Sequence, residues 1–290
     1  MKQLTVFTFM ILLIASCTTD SNRAIEHFKK AKELLKKDNI KDASSEIETA
    51  ISIDSTNIDF QIFKAKIIEN TNNYEQAILI LKKLLDKSYK LDTVNFEIGS
   101  CYFGYGVYFL MKQNDEEKGK DCFEKSLTYY NQAININTEY FNAYKEKHQA
   151  LHNLHRYDEA LIVLNTAINL YPDSIYLILG RGVEKLYLGD LTGAMFDLNK
   201  SIQSNKLDSV DMANAYRFRA NLYLEKENTD QAIIDLTDAL KFNPKDEFAL
   251  AIRAQCYRKL GLKDKACEDY RKAADLGYIS IYETIKEYCN

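Results

Sequence analysis

The strongest constraint on this chain is a 34-residue segment, residues 141–174, whose apolar residues recur at the spacing of two amphipathic helices. The helices meet at His155 and Arg156, and Pro172 closes the segment because proline cannot continue a helix. Large and small side chains alternate at fixed positions in both helices, which indicates close helix crossings. A single helix pair cannot bury its own apolar face, so the pattern predicts further pairs stacked on this one.

Related segments follow one another along most of the chain, and we expect seven repeats in all. The third is 48 residues long, about 14 residues longer than its neighbours. Residues 209–212 are expected to be a short spacer, and a final amphipathic segment is expected to cap the exposed end of the stack. The predicted repeats are 24–57, 58–91, 92–139, 141–174, 175–208, 213–246 and 247–280, and the capping helix is 281–290.

Specific residues of the segment 141–174 stand at the spacing of a known repeat. They are Tyr144, Lys147, His148, Leu151, Ala160, Leu164, Ala167 and Pro172. The segment resembles the tetratricopeptide (TPR) repeat, and the resemblance covers about residues 24–280. It implies an all-α fold: a right-handed α-solenoid of about seven TPR helix pairs, with an elongated third pair and a C-terminal capping helix.

The TPR resemblance also implies where a partner would bind. Proteins of this family typically hold peptides or partner proteins in a concave groove lined by the first helix of each pair. Four of the matching positions in the fifth repeat are apolar and could form a hydrophobic strip, or could pack against adjacent helices. The matching positions are Lys145, Gln149, His152, Asn153, Tyr176, Leu179, Val183, Tyr187, Asn214, Arg217, Asn221, Phe248, Gln255 and Lys259.

The N-terminus has the features of a bacterial lipoprotein signal. Lys2 is followed by an apolar run, residues 4–14, which would span only about 16 Å as a helix, too short to cross a bilayer. The run ends Ile14-Ala15-Ser16-Cys17, which resembles a lipobox. We therefore expect a signal peptide over residues 1–16, lipidation at Cys17, a tether over 17–23 and anchoring in the outer membrane, facing the periplasm. The alternative is an ordinary secreted protein with an incidental cysteine.

The long third repeat contains aromatic residues interleaved with Gly99, Gly104 and Gly106. We expect two long helices with a break around residues 113–115 and a tip that projects beyond its neighbours. The aromatic residues could be close-packing filler, or a protruding contact element for a partner. They are Tyr102, Phe103, Tyr105, Tyr108 and Phe109.

Basic and acidic residues recur sixteen positions apart in the last three repeats. We predict Arg–Asp ion pairs, within or between repeats, that hold the register of the helices. The arginines are Arg181, Arg219 and Arg253, and the aspartates are Asp197, Asp235 and Asp269. Lys185 stands where a large apolar residue is expected, so it should extend its amine to solvent.

Catalytic motifs are lacking in the sequence. His148, His152 and His155 have metal-ligand spacing on one helix, but no carboxylate is fixed beside them, so a histidine-based metal enzyme is a weak alternative. Among the cysteines, Cys256 and Cys267 are the best candidate disulfide, with Cys289 as an alternative partner for either; free buried thiols are the default.

The charge pattern narrows the partner class. The formal net charge is −4 and no basic block occurs, which argues against nucleic acid. We therefore expect a non-catalytic scaffold without cofactors, anchored in the envelope and binding a protein or peptide. The competing hypothesis is a carrier or receptor that binds a small ligand at the aromatic long hairpin.

Overall fold

The computed structural model describes residues 20–87 and 89–289, and within these ranges the chain forms helices and turns without strands. It divides into two compact units, unit 1 up to Leu154 and unit 2 from His155 onward. The prediction of an all-α fold built from helix pairs is confirmed. The signal peptide, the lipidation site Cys17 and the first part of the tether lie outside the described residues.

Unit 1 contains the elongated pair. Its helices pack against their neighbours in chain order, and the predicted break of the long hairpin lies at Asn114, which has a left-handed backbone, and Asp115, which caps the next helix. The helices are α1 (20–36), α2 (Ile40–Ile53), α3 (Ile58–Glu69), α4 (Tyr74–Lys82), α5 (Leu91–Tyr108) with a π-helical turn (Phe109–Gln113), α6 (Glu116–Ile136) and α7 (Phe141–Asn153).

Unit 2 contains the regular pairs. The expected spacer 209–212 is wrong, because the side chain of Asp208 accepts a hydrogen bond from the amide of Asp211 and starts a helix at Ser209. The helices are α8 (Tyr157–Leu170), α9 (Ile175–Tyr187), α10 (Leu191–Gln203), α11 (Ser209–Glu225), α12 (Thr229–Phe242), α13 (Glu247–Lys259), α14 (Lys263–Asp275), a 3-10 turn (Ile279–Ile281) and α15 (Tyr282–Tyr288).

The turn inside each helix pair uses two adjacent positions. The first has a positive φ, which reverses the chain, and the second starts the next helix. In most pairs an Asn or Asp at the second position accepts a backbone N–H of the first turn, which would otherwise lack a partner. The left-handed residues are Asp38, Asn72, Asn114, His155, Gly189, Glu227 and Gly261. The capping residues are Asn39, Asn73, Asp115, Asp190 and Asn228.

The long hairpin of unit 1 is held by rings that pack on glycines. A Cβ at Gly106 would lie 2.7 Å from the buried ring of Phe123, and one at Gly99 would lie 2.7 Å from the ring of Tyr130. These contacts leave no room for a side chain, so the two glycines allow α5 and α6 to approach closely.

The three predicted ion pairs of unit 2 are confirmed. Each guanidinium spans its own helix pair with two hydrogen bonds of 2.7–2.9 Å to a buried carboxylate. Arg219 also donates to Asn199 at 2.8 Å and Arg253 to Thr237 at 3.1 Å, on the second helix of the preceding pair. The arginines therefore link three helices, which fixes the stacking register as well as the hairpin.

Lys185 does not extend to solvent as expected. Its Nζ lies 2.8 Å from Oδ2 of Asp197, which also receives Arg181. Burial raises the pKa of the Asp197 carboxyl, but the hydrogen bonds from Arg181 and Lys185 outweigh burial, so the net shift is downward. The prediction failed because the buried carboxylate offered the amine a partner inside the fold.

The best candidate disulfide is also wrong. Cys267 bonds to Cys289 with an S–S distance of 2.02 Å, whereas Cys256 is a buried free thiol. Cys256 belongs to an apolar cluster with Ala232 and Ala249, whereas Cys289 packs against a different cluster that contains Tyr270 and Ala274 of α14. Cys101 and Cys122 are free and buried as well.

Candidate binding surfaces

The predicted groove residues of the sixth and seventh repeats converge in the structure. Arg217 on α11 donates to Asn214 at 2.8 Å, and its Nε lies 3.2 Å from the carboxylate of Asp246. The same guanidinium lies 5.8 Å from the ring centroid of Phe248, an exposed residue on α13. These contacts order a polar and aromatic surface on the first helices of two adjacent pairs, and we call it the first-helix cluster.

The hydrophobic strip predicted on the fifth repeat is not an exposed unit. Leu179 and Val183 are only 6% and 8% exposed, because they pack in a core cluster with residues of α10 and α11. Tyr176 and Tyr187 are exposed, and Tyr187 stacks on Tyr157 at 4.8 Å. The two buried residues follow the alternative that they pack against adjacent helices, so the two tyrosines remain as contact candidates on α9.

The other predicted groove residues divide between the units. Lys145, Gln149 and His152 lie on α7 in unit 1 and are half-buried, and the Asn153 side chain donates to the Gln149 carbonyl at 2.8 Å. In unit 2, Asn221 is half-buried, whereas Gln255 and Lys259 are exposed and line a cavity beside α15.

The aromatic residues predicted as contacts in the long hairpin lie on α5, except Phe109, which begins the π-helical turn. Met111 in that turn is the exposed large apolar residue. Tyr105 stacks on Tyr74 of α4 at 5.2 Å and lies 4.4 Å from Phe109, and its hydroxyl donates to Glu75 at 3.0 Å. Burial, followed by this hydrogen bond, raises the pKa of Tyr105 to about 12.

The remaining hairpin rings have partners within unit 1 as well. Tyr108 lies 6.0 Å from Tyr74, and Tyr102 stacks on Tyr129 of α6 at 5.7 Å. The Nζ of Lys82 donates to the Tyr102 hydroxyl at 3.0 Å. The ring-bearing face of α5 packs on α4 and α6, which favours the filler alternative, and a contact role for these residues stays a prediction. Their half-buried edges provide the packing predicted by the filler alternative.

A second exposed surface was missed by sequence reasoning. Ile162, Phe196 and Ile234 stand at one repeat position on the second helices α8, α10 and α12, and they are 65%, 67% and 51% exposed. Large apolar residues recurring at a solvent-facing position every 34–38 residues were visible in the sequence.

The three histidines do not form a metal site. Within the described residues, no three His, Cys, Asp or Glu side chains are arranged to hold a metal ion. His155 is the left-handed turn residue, and its Nδ1 lies 2.7 Å from the Tyr157 hydroxyl. His148 is buried, its Nδ1 has no hydrogen-bond partner among the described residues, and burial lowers its pKa to about 4.

Two carboxyl groups of unit 1 are also perturbed. Burial and then the nearby carboxylate of Glu97 raise the pKa of Glu69, and burial raises the pKa of Glu146. Lys66 donates to Glu97 at 3.2 Å and partly offsets the negative charge beside Glu69. These groups influence how the stability of unit 1 depends on pH.

The family comparison agrees with the helix-pair geometry. The tetratricopeptide repeat profile matches residues 213–246 and 249–276, and the first of these segments contains Asn214, Arg217 and Asp246 of the first-helix cluster. These two segments of the chain are tetratricopeptide repeats. Proteins of this family are generally non-catalytic scaffolds that bind other proteins.

Solved structures share the fold of this chain. It resembles a tetratricopeptide repeat protein from Parabacteroides merdae with a TM-score of 0.67, 19% identity, and coverage of 92% of this chain and 97% of that one. It also resembles a chain of the APC/C hetero-tetramer Cut9–Hcn1, with a TM-score of 0.57, 18% identity, and coverage of 86% and 45%. The predicted TPR fold class is thereby confirmed.

Curated relatives match only in part. Superkiller protein 3 of Schizosaccharomyces pombe is 22% identical over 214 residues, which cover 71% of this chain and 15% of that protein. The chain spans between 10% and 16% of the length of the curated relatives it matches. Among the described helices, none combines the length and apolar character needed to span a bilayer.

Proposed function

We propose that this TPR protein is a non-catalytic scaffold that holds a protein or peptide partner on its first-helix faces while a lipid at Cys17 anchors it to the bacterial envelope. The observation that carries the proposal is the first-helix cluster. Arg217 is fixed there by Asn214 and Asp246 beside the exposed ring of Phe248. An ordered arginine next to an exposed aromatic ring is a composition enriched at protein-binding hot spots.

Further support comes from the exposed tyrosines of α9. Tyr176 and Tyr187 present large amphipathic side chains on a first helix, and the stacking of Tyr187 on Tyr157 limits its motion before binding. Ordered aromatic side chains lose little conformational entropy when a partner binds. The Cut9–Hcn1 hetero-tetramer is an assembly of protein chains, which agrees with a protein partner for this fold.

The partner-binding proposal is tested by comparing two faces of unit 2. Crosslinked pull-downs from membranes would use the native chain, Tyr176→Ala/Phe248→Ala on first helices, and Phe196→Ala/Ile234→Ala on second helices. Each double variant removes two exposed large apolar side chains, so the pairs are matched in chemistry. Circular dichroism and thermal unfolding would establish that both variants remain folded.

We expect a partner captured by the native chain to be lost from the first-helix variant and retained by the second-helix variant. Retention by the first variant together with loss from the second would overturn the proposed binding face. It would assign binding to the Ile162, Phe196 and Ile234 surface instead.

The anchor is proposed from the N-terminal sequence. The lipobox-like run Ile14-Ala15-Ser16-Cys17 places a cysteine directly after small residues, and several acyl chains on one residue give stable membrane attachment. The expected location is the outer membrane, facing the periplasm. Metabolic labelling with a palmitate analogue should mark the native chain but not Cys17→Ser, and fractionation should move the variant to the soluble fraction. Labelling that persists in Cys17→Ser would contradict the anchor.

A further inference from the structure

A cavity of about 410 Å³ lies at the C-terminal end of unit 2, between the last helix pair and α15. This volume falls in the range of small-molecule sites. Tyr270 and Ile281 supply buried apolar surface, and the other lining side chains are polar or basic. The lining residues are Gln255, Arg258, Lys259, Tyr270, Ile281 and Thr284.

The two cations of the cavity lie next to each other on the last turn of α13, and none of the lining side chains is acidic. Burial raises the pKa of the Tyr270 hydroxyl, and the nearby guanidinium of Arg258 partly offsets that shift. The same guanidinium lies 4.9 Å from the ring centroid of Tyr288. These contacts order the guanidinium while leaving donors available. An ordered arginine beside a lysine favours a carboxylate, because charge-assisted hydrogen bonds to carboxylates are short and strong.

The wall of the cavity that α15 provides depends on a covalent bond. α15 has only seven residues and buries none of them, and a helix of this length is not stable by itself. The Cys267–Cys289 disulfide joins its C-terminal end to α14, and Ile285 and Tyr288 pack on the last pair. Arg271 adds a hydrogen bond to the Cys289 carbonyl at 3.4 Å. The disulfide is therefore a covalent restraint on this wall, in addition to the apolar contacts of Ile281, Ile285 and Tyr288.

We propose that this cavity binds a carboxylate ligand with an adjoining apolar portion, and that it binds the ligand only while the Cys267–Cys289 disulfide holds α15 in place. The carboxylate contacts Arg258 and Lys259, and the apolar portion contacts Tyr270 and Ile281. The carboxylate belongs to a small organic acid or to the end of a peptide. This site does not depend on the scaffold function proposed above.

Reduction opens the site by thiol–disulfide exchange. A dithiol reductant gives two electrons and two protons to the S–S bond, which breaks to leave a thiol on Cys267 and on Cys289, and the dithiol becomes a disulfide. α15 is then free to leave the last pair. Gln255, Arg258 and Lys259 remain on α13, but the surface contributed by Ile281 and Thr284 is lost.

The ligand class is tested by titrating the oxidised protein, with binding followed by NMR. The small-acid arm uses 4-phenylbutyrate and its neutral match 4-phenylbutanamide. The peptide arm uses acetyl-Leu-Leu with a free carboxylate and with an amide end. At least one acid should bind ten-fold tighter than its amide, and Arg258→Gln/Lys259→Gln should remove that preference. Lys206→Gln/Lys245→Gln, which changes the net charge equally but lies outside the cavity, should retain it.

The dependence on the disulfide is tested with dithiothreitol and with Cys289→Ser. Both should weaken acid binding at least ten-fold and should expose the bond after Lys286 to trypsin, while reoxidation restores the treated native chain. Cys256→Ser removes a thiol of the same repeat and should leave both readouts unchanged. Equal affinity for acids and amides in both arms would overturn the ligand class, and undiminished binding by Cys289→Ser would overturn the role of the disulfide.

Discussion

In unit 2, the helix pairs α9–α10, α11–α12 and α13–α14 each carry a guanidinium that grips a buried carboxylate, whereas unit 1 packs aromatic rings onto glycines in its long hairpin. The first pair of unit 1 has a weaker form of the same device, since Lys30 lies 2.6 Å from Glu46, sixteen residues later. The same ion pair recurs from one hairpin of unit 2 to the next. The packing of rings on glycines is specific to the long hairpin of unit 1, and this packing is compatible with its extra length.

The ion pairs of the two units also differ in how deeply their charged groups are buried. The carboxylates of unit 2 are buried, so each depends on its arginine, while Lys30 is largely exposed. A buried pair contributes modestly as a whole, yet losing one partner leaves an uncompensated charge inside the protein. The two units should therefore respond very differently when the cation is removed from the equivalent repeat position.

The largest effect is expected for Arg219→Leu. It leaves Asp235 buried and unpaired, and we expect a loss of about 3–5 kcal/mol in the local unfolding free energy of α11 and α12. Hydrogen exchange measured on peptides from these helices would report it. Arg219→Leu/Asp235→Leu should recover most of the loss, and Lys30→Met should change exchange in unit 1 very little. A small effect of Arg219→Leu would remove the distinction between the units.

His148 should make the stability of unit 1 depend on pH between about 6.5 and about 4. Its pKa is near 4 when folded and about 6.5 when unfolded, so the unfolded chain binds the extra proton first as pH falls. Its contribution is present above pH 6.5 and lost as pH falls toward 4, in total about 3 kcal/mol at 1.36 kcal/mol per unit.

The His148 effect is best measured as a difference between the native chain and His148→Leu. Glu69 and Glu146 have raised pKa values, so their contributions grow as pH falls and oppose that of the histidine. The unfolding free energy of the native chain should fall relative to that of the variant between pH 7 and pH 4. Asp197 in unit 2 has a lowered pKa, so its contribution is lost only below about pH 3.8. A pH-independent difference would show that His148 is accessible to protons in the folded state.

The sequence predicted those contacts and breaks that depend only on a residue's position within its repeat. The Arg–Asp pairs were predictable because the sixteen-residue spacing recurs, and so was the break in the long hairpin. The predictions failed where a contact depends on which side of its helix a side chain lies. Cys256 lies level with Cys267 in the pair but belongs to a cluster with residues of α12, and Leu179 and Val183 share the face of α9 that packs into the core. The spacing of residues in the sequence predicts how far along a helix a side chain lies. It predicts less reliably which neighbouring helix that side chain contacts.

A smaller effect is expected where glycine allows the ring packing of unit 1. Gly106→Ala would place a Cβ 3.0 Å from the Gly119 carbonyl and 2.7 Å from the buried Phe123 ring, so overpacking should cost about 1–3 kcal/mol despite the helix propensity of alanine. Gly104→Ala is the matched control, because it meets the half-buried ring of Tyr74, which can shift. Thermal unfolding would compare them, and equal stability of both variants would show that the hairpin tolerates a wider separation.

The smallest effect should be a gain, and it concerns a position that both units share. The residue just before the second helix of a pair is a capping Asn or Asp for α2, α4, α6, α10 and α12. Before α14 this residue is Leu262, and no side chain caps that helix. Leu262 has φ −84° and ψ 69°, close to the −90° and 75° of Asn228, so an asparagine there needs no backbone change.

Leu262→Asn should therefore stabilise α14 by about 0.5–1 kcal/mol, because its side chain can accept the amide of residue 265. Asn228→Ala before α12 should lose a similar amount, which makes the two substitutions a matched pair of opposite sign. Urea unfolding of both variants measures the difference. If Leu262→Asn is destabilising, the half-exposed leucine contributes more by packing than a cap would, and the C-terminal pair is then held by apolar contact to a greater extent than the other pairs of unit 2.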